Sequence, residues 1–520
     1  MKKVVYGNDA IARGAYEAGC HFASAYPGTP STEVLETMAS DYPEIKSQWS
    51  PNEKTAFEVA GGASVGGARA LAAMKHVGLN VAADPLFTFS YMGVLGGLVI
   101  INADDPGPWS SQNEQDNRHL ARASKTPMLE PSDLNEAKEF TKMAFDISEK
   151  FDVPVIIRTV TRLSHSQGLI EFGERKEVPV KEFVRDAQKN VMIPGHAKIR
   201  HKFKEEVQIP KLKEFSETSG LNKIIKRGSK RGIVCSGIAY QYVMEVCPDD
   251  SILKIGMPWP LPEKMIKEFA SQVEELYVVE ELDPYLEDAV KALGLKVKGG
   301  KNIIPILGEL TPEIVDEALN GVKFKPAVPL YDAAKTPMRP PLMCKGCSHR
   351  YVFEVLKKLD LHVNGDIGCY TLGTLPPYQA MHTQACMGAS ISMHLGMEKA
   401  HGRDIMKKTV AVIGDSTFVH TGIASLIDLV YNKGTGTILL LDNRITGMTG
   451  HQEHPGTGKA INGDPTYELN FEAMSRACGV NRVVTLDPKD VELLEKTILE
   501  ELEADEASVI IARRKCILVK

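Results

Sequence analysis

A chain of 520 residues is too long for a single hydrophobic core, and roughly three domains are expected of it. Its 43% hydrophobic and 25% charged residues and its net charge of −6 are those of an ordinary soluble globular protein, with no basic excess to draw it to nucleic acid or to a membrane surface. The opening MKK-VVYG is no secretory signal, the longest apolar run (91-YMGVLGGLVII-101) is too short to span a bilayer, and the nine scattered cysteines suggest no disulfide framework, so a cytoplasmic location is expected.

Along the chain, 97-GLVIINADD-105 and 153-VPVIIRTVTR-162 are apolar runs ending in polar residues, as suits central strands of a parallel sheet buried on both faces. In such folds the active-site loops lie at the carboxyl ends of the strands. Residues 168–228 are Lys- and Glu-rich with Pro179, Pro194 and Pro210, and read as a linker with surface helices; 198-KIRHKFKEE-206 within it reads as a solvated helix face. A second unit follows with strands at 231-RGIVCSG-237 and 276-LYVVEE-281 and a helix between. The proline-rich crossing 326-PAVPLYDAAKTPMRPPL-342 marks the next boundary. The last unit has strands at 408-KTVAVIGD-415, 435-TGTILLLDN-443 and 508-SVIIARRK-515. The expected architecture is therefore α/β, with three doubly wound domains at 1–190 (linker included), 191–330 and 331–520.

The strongest chemical signal lies in the last domain. Gly414 and Asp415 stand at the carboxyl end of one strand, and twenty-eight residues on, Asn443 ends another. An Asp carboxylate, an Asn amide oxygen and a backbone carbonyl just beyond would suit Mg²⁺, which takes few oxygen ligands from protein and the rest from phosphate and water. Gly414 allows close approach of a phosphate, and Ser416 can cap the following helix, whose N-terminus favours anions. The plainer reading is an ordinary strand-to-helix turn. Gly456-Thr457-Gly458-Lys459 imitates a phosphate loop, but no glycine stands five places before Gly458, and Ala460 replaces the Ser or Thr. No G-x-G-x-x-G follows a strand, so a nicotinamide cofactor has no support.

GDS followed at this distance by DN resembles the thiamine diphosphate motif. The segments 26-YPGTPSTE-33, 51-PNEKTAFEVAGGAS-64, 75-KHVGLNVAADP-85, 110-SSQNEQDNR-118, 340-PPLMCKGCSHR-350, 365-GDIGCYTLG-373 and 445-ITGMTGHQEHPGTG-458 together resemble the α subunit of indolepyruvate:ferredoxin oxidoreductase, from about residue 5 to 516. The resemblance implies a pyrimidine-binding domain, a transketolase-C-like middle domain and a diphosphate-binding domain. It implies thiamine diphosphate and Mg²⁺ as cofactors. It also implies a reaction: an aryl 2-oxo acid, coenzyme A and oxidised ferredoxin give the acyl-CoA, CO₂ and reduced ferredoxin, through a thiamine diphosphate ylide. A non-oxidative thiamine diphosphate decarboxylase or transferase is the alternative.

Carried over by residue, Asp415, Asn443 and the carbonyl of Ile445 match magnesium ligands. Glu53 matches the carboxylate that bonds N1′ of the aminopyrimidine, though Ser50-Pro51-Asn52-Glu53 also has the form of a capping box with Ser50 as N-cap. Thr29, beside Gly28, matches a threonine that faces the substrate, with a helix cap as the plainer alternative. Gln112, Asn113 and Arg118, in a polar loop after a strand, are candidates for the substrate's carboxylate. Against the cofactor the resemblance also places Gly28, Cys344, Gly346, Cys347, His349, Asp366, Gly368, Cys369, Met387, Gly388, Gly414, Ser416, Gly450 and His451.

The Cys344–Cys347 pair fits neither a zinc ribbon, for want of a second pair at suitable spacing, nor a thioredoxin-like dithiol, which should open a helix after a strand; it follows Arg339-Pro340-Pro341, which reads as a domain-entry loop. Members of the family end in a ferredoxin-like domain carrying two [4Fe–4S] centres on clustered cysteines, and no such run occurs here. The expectation is that this sequence has no ligand set for such clusters and needs a cluster-bearing partner to complete the oxidative half-reaction. The implied partners are the β subunit, ferredoxin, coenzyme A and the aryl 2-oxo acid, in a hetero- or homo-oligomer, with neither nucleic acid nor membrane among them.

Overall fold

The computed structural model describes residues 1–325 and 340–519, so most of the proline-rich crossing at 326–342, Arg339 included, lies outside the described residues. The chain groups into two compact units, Met1–Pro329 and Leu330–Lys520.

In the first unit, β1 (Lys2–Tyr6) precedes six strands: β2 (Phe22–Ala25), β3 (Lys46–Trp49), β4 (Ala70–Lys75), β5 (Leu98–Asp104), β6 (Met128–Leu129) and β7 (Val155–Val160). These six form a wholly parallel sheet in the order β3-β2-β4-β5-β7-β6. Every residue of β4, β5 and β7 is buried. Ala70, Ala72, Met74, Leu98 and Ile100 join one core with Phe57 and Leu86, while the alternating Leu71, Ala73, Val99 and Ile101 are fully buried on the other face. That is why these strands read as unbroken apolar runs.

The segment expected to be a linker is partly structural. β8 (Gln167–Glu171) pairs antiparallel with β1, and Pro194–Phe203 and Ile209–Thr218 are helices joined by a π-helical turn at Lys204–Gln208. The basic face there is only partly solvated. Lys198 and Lys202 are exposed, but Lys204 is buried and donates to Gln208 Oε1 at 2.6 Å, and Arg200 bonds Asp152 at 2.8 Å.

The middle sheet comprises β9 (Lys223–Ile225), β10 (Arg231–Ser236), β11 (Ser251–Ile255), β12 (Glu275–Val279) and β13 (Val297–Gly299), ordered β13-β12-β10-β11-β9 and parallel except for β9. One strand more than expected lies between β10 and β12. β11 hides because Lys254 interrupts its apolar pattern; the lysine is nonetheless buried, paired with Glu136 of the first domain. The first and middle domains pack as one unit: Met128 N–H bonds Trp259 O at 2.9 Å, and Glu130 N–H bonds Gly256 O at 2.9 Å.

The second unit holds β14 (His362–Asn364), β15 (Thr409–Gly414), β16 (Gly436–Asp442), β17 (Arg482–Leu486) and β18 (Ala507–Arg513), all parallel, ordered β14-β15-β16-β18-β17. Val410, Val412, Leu439 and Leu441 face a core with Phe353 and Leu356; Ala411, Ile413, Ile438 and Leu440 face another with Leu426 and Phe471. A sheet covered on both faces leaves the strand ends as the accessible polar surface.

Candidate functional site

In the second unit, β15 ends at Gly414 and passes directly into the helix that Asp415 opens. Asp415 is buried. Its Oδ1 accepts from Ser416 N–H at 2.8 Å, and its Oδ2 accepts from Arg444 N–H at 2.7 Å and lies 3.3 Å from His454 Nε2. Burial alone would raise this carboxyl, but His454 and the two amides hold it below the usual carboxylate range. His454 was not singled out from sequence; Nδ1 accepts from Gly456 N–H at 3.1 Å, which leaves Nε2 as the protonated nitrogen facing Asp415. The clue was the pair 451-HQEH-454. His451, the expected cofactor neighbour, is exposed with a left-handed φ of 71°, and His454 takes the inward position.

Asn443, just past β16, is nearly buried. Its Oδ1 accepts from Ile445 N–H at 3.2 Å, its Nδ2 lies 3.4 Å from His349 Nε2, and its carbonyl accepts from Cys516 N–H at 2.9 Å. Ser416 Oγ accepts from Thr446 Oγ1 at 2.9 Å, tying the loop after β16 to the end of β15. Burial lowers His349 to about 4, so it is a neutral imidazole next to Asn443. The expected ligand residues Asp415, Asn443 and Ile445 are thus at two adjacent strand ends, a buried oxygen-rich set that fits a magnesium diphosphate. The imitation phosphate loop Gly456–Lys459 forms a turn that opens no helix.

Asp366 organises the turn before the next helix. Its Oδ1 accepts from Gly388 N–H at 2.8 Å and its Oδ2 from Ser390 N–H at 3.0 Å, so the carboxylate caps the helix Ala389–His401 and fixes the Met387–Gly388 turn. Gly368 and Gly414 both pack against the Tyr370 ring, and Gly450 lies against Gln452.

The Cys344–Cys347 loop closes with a Cys347 N–H to Cys344 O bond at 3.1 Å around Gly346, whose φ of 83° favours glycine, and Cys347 then opens the helix Ser348–Lys358. The pair does open a helix, though no strand leads into it among the described residues. The structure also brings further thiols to it. Cys369 is pushed up to about 11, first by burial and then by Cys347, Cys516 and Cys344. Cys347 is raised by burial, by Cys516 and by Cys344. Cys344 and Cys516 thus lie near enough to Cys347 and Cys369 to oppose the ionisation of those two thiols. Cys516 is separated from the other three by most of the domain, and only the seating of its amide on Asn443 brings it back.

In the first unit, Gly28 and Thr29 follow β2, with a cis Thr29–Pro30 bond. The helix Thr32–Asp41 takes Ser31, not Thr29, as its N-cap, so Thr29 does not cap it. Ser50 is not the N-cap of the next helix either. That helix starts at Glu53, and Asn52 caps it by accepting from Thr55 N–H at 2.8 Å. Glu53 is therefore the first residue of the helix and not the N3 residue of a Ser50 capping box; it is buried, and Gly78 packs against its carboxylate so closely that a Cβ there would stand 2.7 Å from Oε1.

The substrate candidates divide. Gln112 and Asn113 are exposed on the loop after β5, with Asn113 O 3.3 Å from His76 Nε2. Arg118 is buried, its Nε 2.9 Å from Asp116 Oδ1, its Nη1 2.8 Å from Glu280 Oε2 and its Nη2 3.0 Å from Glu281 O. A guanidinium so fully taken up joins the first sheet to the middle one, and its expected role with the substrate is withdrawn.

Comparison with known proteins matches residues 366–512 to "Thiamine pyrophosphate enzyme, C-terminal TPP binding domain" and residues 13–214 to "Pyruvate flavodoxin/ferredoxin oxidoreductase, thiamine diP-bdg". The chain is 40% identical over 547 residues to "Indolepyruvate oxidoreductase subunit IorA" of Archaeoglobus fulgidus, covering 100% of this chain and 87% of the relative. The namesake from Thermococcus kodakarensis is 40% identical over 559 residues, covering 99% and 86%. The chain belongs to the indolepyruvate oxidoreductase α-subunit family.

It is accordingly a thiamine diphosphate-dependent 2-oxo acid:ferredoxin oxidoreductase subunit. A solved 2-oxoglutarate:ferredoxin oxidoreductase from Magnetococcus marinus shares the fold, with a TM-score of 0.51 at 19% identity over 61% of this chain and 64% of that one. Among the described residues, no helix is long and apolar enough to cross a membrane.

Proposed function

We propose that this chain catalyses the oxidative decarboxylation of aryl 2-oxo acids of the indolepyruvate and phenylpyruvate type, giving the aryl-acyl-CoA and CO₂ and reducing ferredoxin, in the cytoplasm and together with a β subunit. The observation that carries it is the buried Asp415–Asn443 pair at adjacent strand ends, inside the segment that matches a thiamine diphosphate domain. When bound, thiamine diphosphate supplies the nucleophilic carbon and the electron sink that the bond cleavage needs.

The residues of this chain do the rest. Asp415, Asn443 and the Ile445 carbonyl would hold Mg²⁺, with His454 keeping Asp415 ionised. Glu53 would hold a proton at N1′ of the aminopyrimidine, and Thr29 and Gln112 would meet the substrate. Gly28, Gly346, Gly388 and Gly450 would give backbone room around the cofactor, with Cys344, Cys347, His349, Cys369 and His451 along its edge. Cys344, Cys347, Cys369 and Cys516 would hold an iron–sulfur centre that accepts electrons one at a time.

The test is anaerobic assay of the complex with phenylpyruvate or indolepyruvate, coenzyme A and a viologen dye. Dye reduction that depends on coenzyme A is expected. Aldehyde release without dye reduction, with the partner subunit present, would overturn the oxidative reading in favour of a non-oxidative decarboxylase. Iron analysis and electron paramagnetic resonance after reconstitution should show a centre that Cys516→Ser diminishes.

A further inference from the structure

With Arg118 locked away, the cation that orients the substrate has to come from elsewhere. In the six-stranded sheet, β3 and β4 lie on opposite sides of β2, so the crevice where such sheets bind ligands opens between the ends of β2 and β4. Lys75, the last residue of β4, stands at that crevice. It is nearly buried at 8% exposure, and a Cβ on Gly28 would lie 3.0 Å from its own Cβ. Three residues on, Gly78 abuts Glu53, so Lys75, Gly28 and Glu53 share one corner of this unit.

Among the described residues the Lys75 ammonium has one hydrogen bond, to the Ser110 carbonyl at 2.6 Å, and no carboxylate lies within ion-pair distance of it. Asp105, whose charge it feels, is already engaged by Ser110 N–H at 2.9 Å, Ser111 Oγ at 2.6 Å and Thr161 Oγ1 at 2.6 Å. A buried ammonium held by a single neutral carbonyl is costly to keep charged and has donor capacity to spare. Exchanging that carbonyl for an anion would replace a neutral acceptor with a charged one, about twice as strong a partner.

We propose that Lys75 is a substrate-binding residue whose ammonium takes the carboxylate of the 2-oxo acid in place of the Ser110 carbonyl and so orients the adjoining keto group. This rests on the 2-oxo acid reading above, but not on its aryl part, because every 2-oxo acid carries the same carboxylate. Burial lowers Lys75 to about 8. As pH rises through 8 the ammonium is lost, and the grip on the carboxylate goes with it.

The experiment uses the complete complex with its cofactor. Lys75→Met should raise KM for the 2-oxo acid by about 10- to 150-fold, the range for a lost hydrogen bond to a charged group, with a smaller change in kcat. Phenyllactate, a carboxylate that cannot be decarboxylated, should lose affinity by the same factor while thiamine diphosphate affinity stays unchanged. The wild-type kcat/KM should fall about tenfold per pH unit above pH 8, and Lys75→Arg should restore much of the KM and remove that limb.

An unchanged KM and phenyllactate affinity in Lys75→Met would overturn the proposal. So would a loss of thiamine diphosphate affinity that accounts for the whole defect. If the wild type prefers a non-aryl 2-oxo acid, the aryl reading fails, and the same measurements made with that acid still decide the role of Lys75.

Discussion

At the scale of single residues, Asn52 and Glu53 separate two chemistries that their sequence runs together. The cap is Asn52, whose side chain accepts the Thr55 amide, and Glu53 is left as a buried carboxyl against Gly78. Asn52→Ala should therefore cost about 1 kcal/mol of stability, the usual loss for a helix cap, as read by thermal denaturation. Glu53→Gln should leave the melting curve in place and lower turnover by about 10²- to 10⁴-fold, the range for a lost proton-transfer group. Turnover unchanged in Glu53→Gln would mean that the carboxyl has no part in the chemistry. His454 is the residue that sequence could not rank. A histidine three positions from another is common, and only burial against Asp415 distinguishes it.

At the scale of elements, the junction between the first and middle sheets is a buried charge network. Arg118 meets Asp116 and Glu280, and Arg158 meets Asp104 at 2.7 Å and Glu130. Arg118→Met would strand Asp116 and Glu280 in the interior, with a loss of about 3–5 kcal/mol by calorimetry. The defect should be one of stability, with KM unchanged in the molecules that remain folded. Beside this network, burial raises Glu281 from 4.5 to about 7, with Glu309 and Glu130 adding to the shift while the Leu310 amide and Arg158 oppose it. The fold thus holds a proton that the unfolded chain releases near 4.5. Stability falls as pH rises between 4.5 and 7, by up to about 1.4 kcal/mol per pH unit. Glu281→Gln should raise the melting temperature at pH 8 and have little effect at pH 4.

At the scale of the whole chain, the two compact units have separate hydrophobic cores. Calorimetry should resolve two transitions. Thiamine diphosphate with Mg²⁺ at a hundredfold excess over its dissociation constant should stabilise the Leu330–Lys520 unit, which carries Asp415 and Asn443, by about 2.7 kcal/mol, and Arg118→Met should lower the Met1–Pro329 transition. A single transition in the wild type would refute the expectation of two.

The sequence by itself determined the α/β class, the strands β5, β7, β10, β12, β15, β16 and β18, and the Gly-Asp and Asn at two strand ends, because burial on both faces writes apolar runs and strand ends collect the polar residues. It did not name the remaining strands, among them β11, where a buried Lys254 needs Glu136 from another domain to be tolerable, and it placed Arg118 in a solvent-facing loop. Tertiary structure alone decided what each charged or sulfur-bearing side chain faces. Arg118 is locked between sheets, His454 rather than His451 turns to Asp415, Cys516 returns to Cys369, and Lys75 is left with a single carbonyl. Such pairings join residues far apart in the chain, and their energies depend on burial and distance, which no local pattern records.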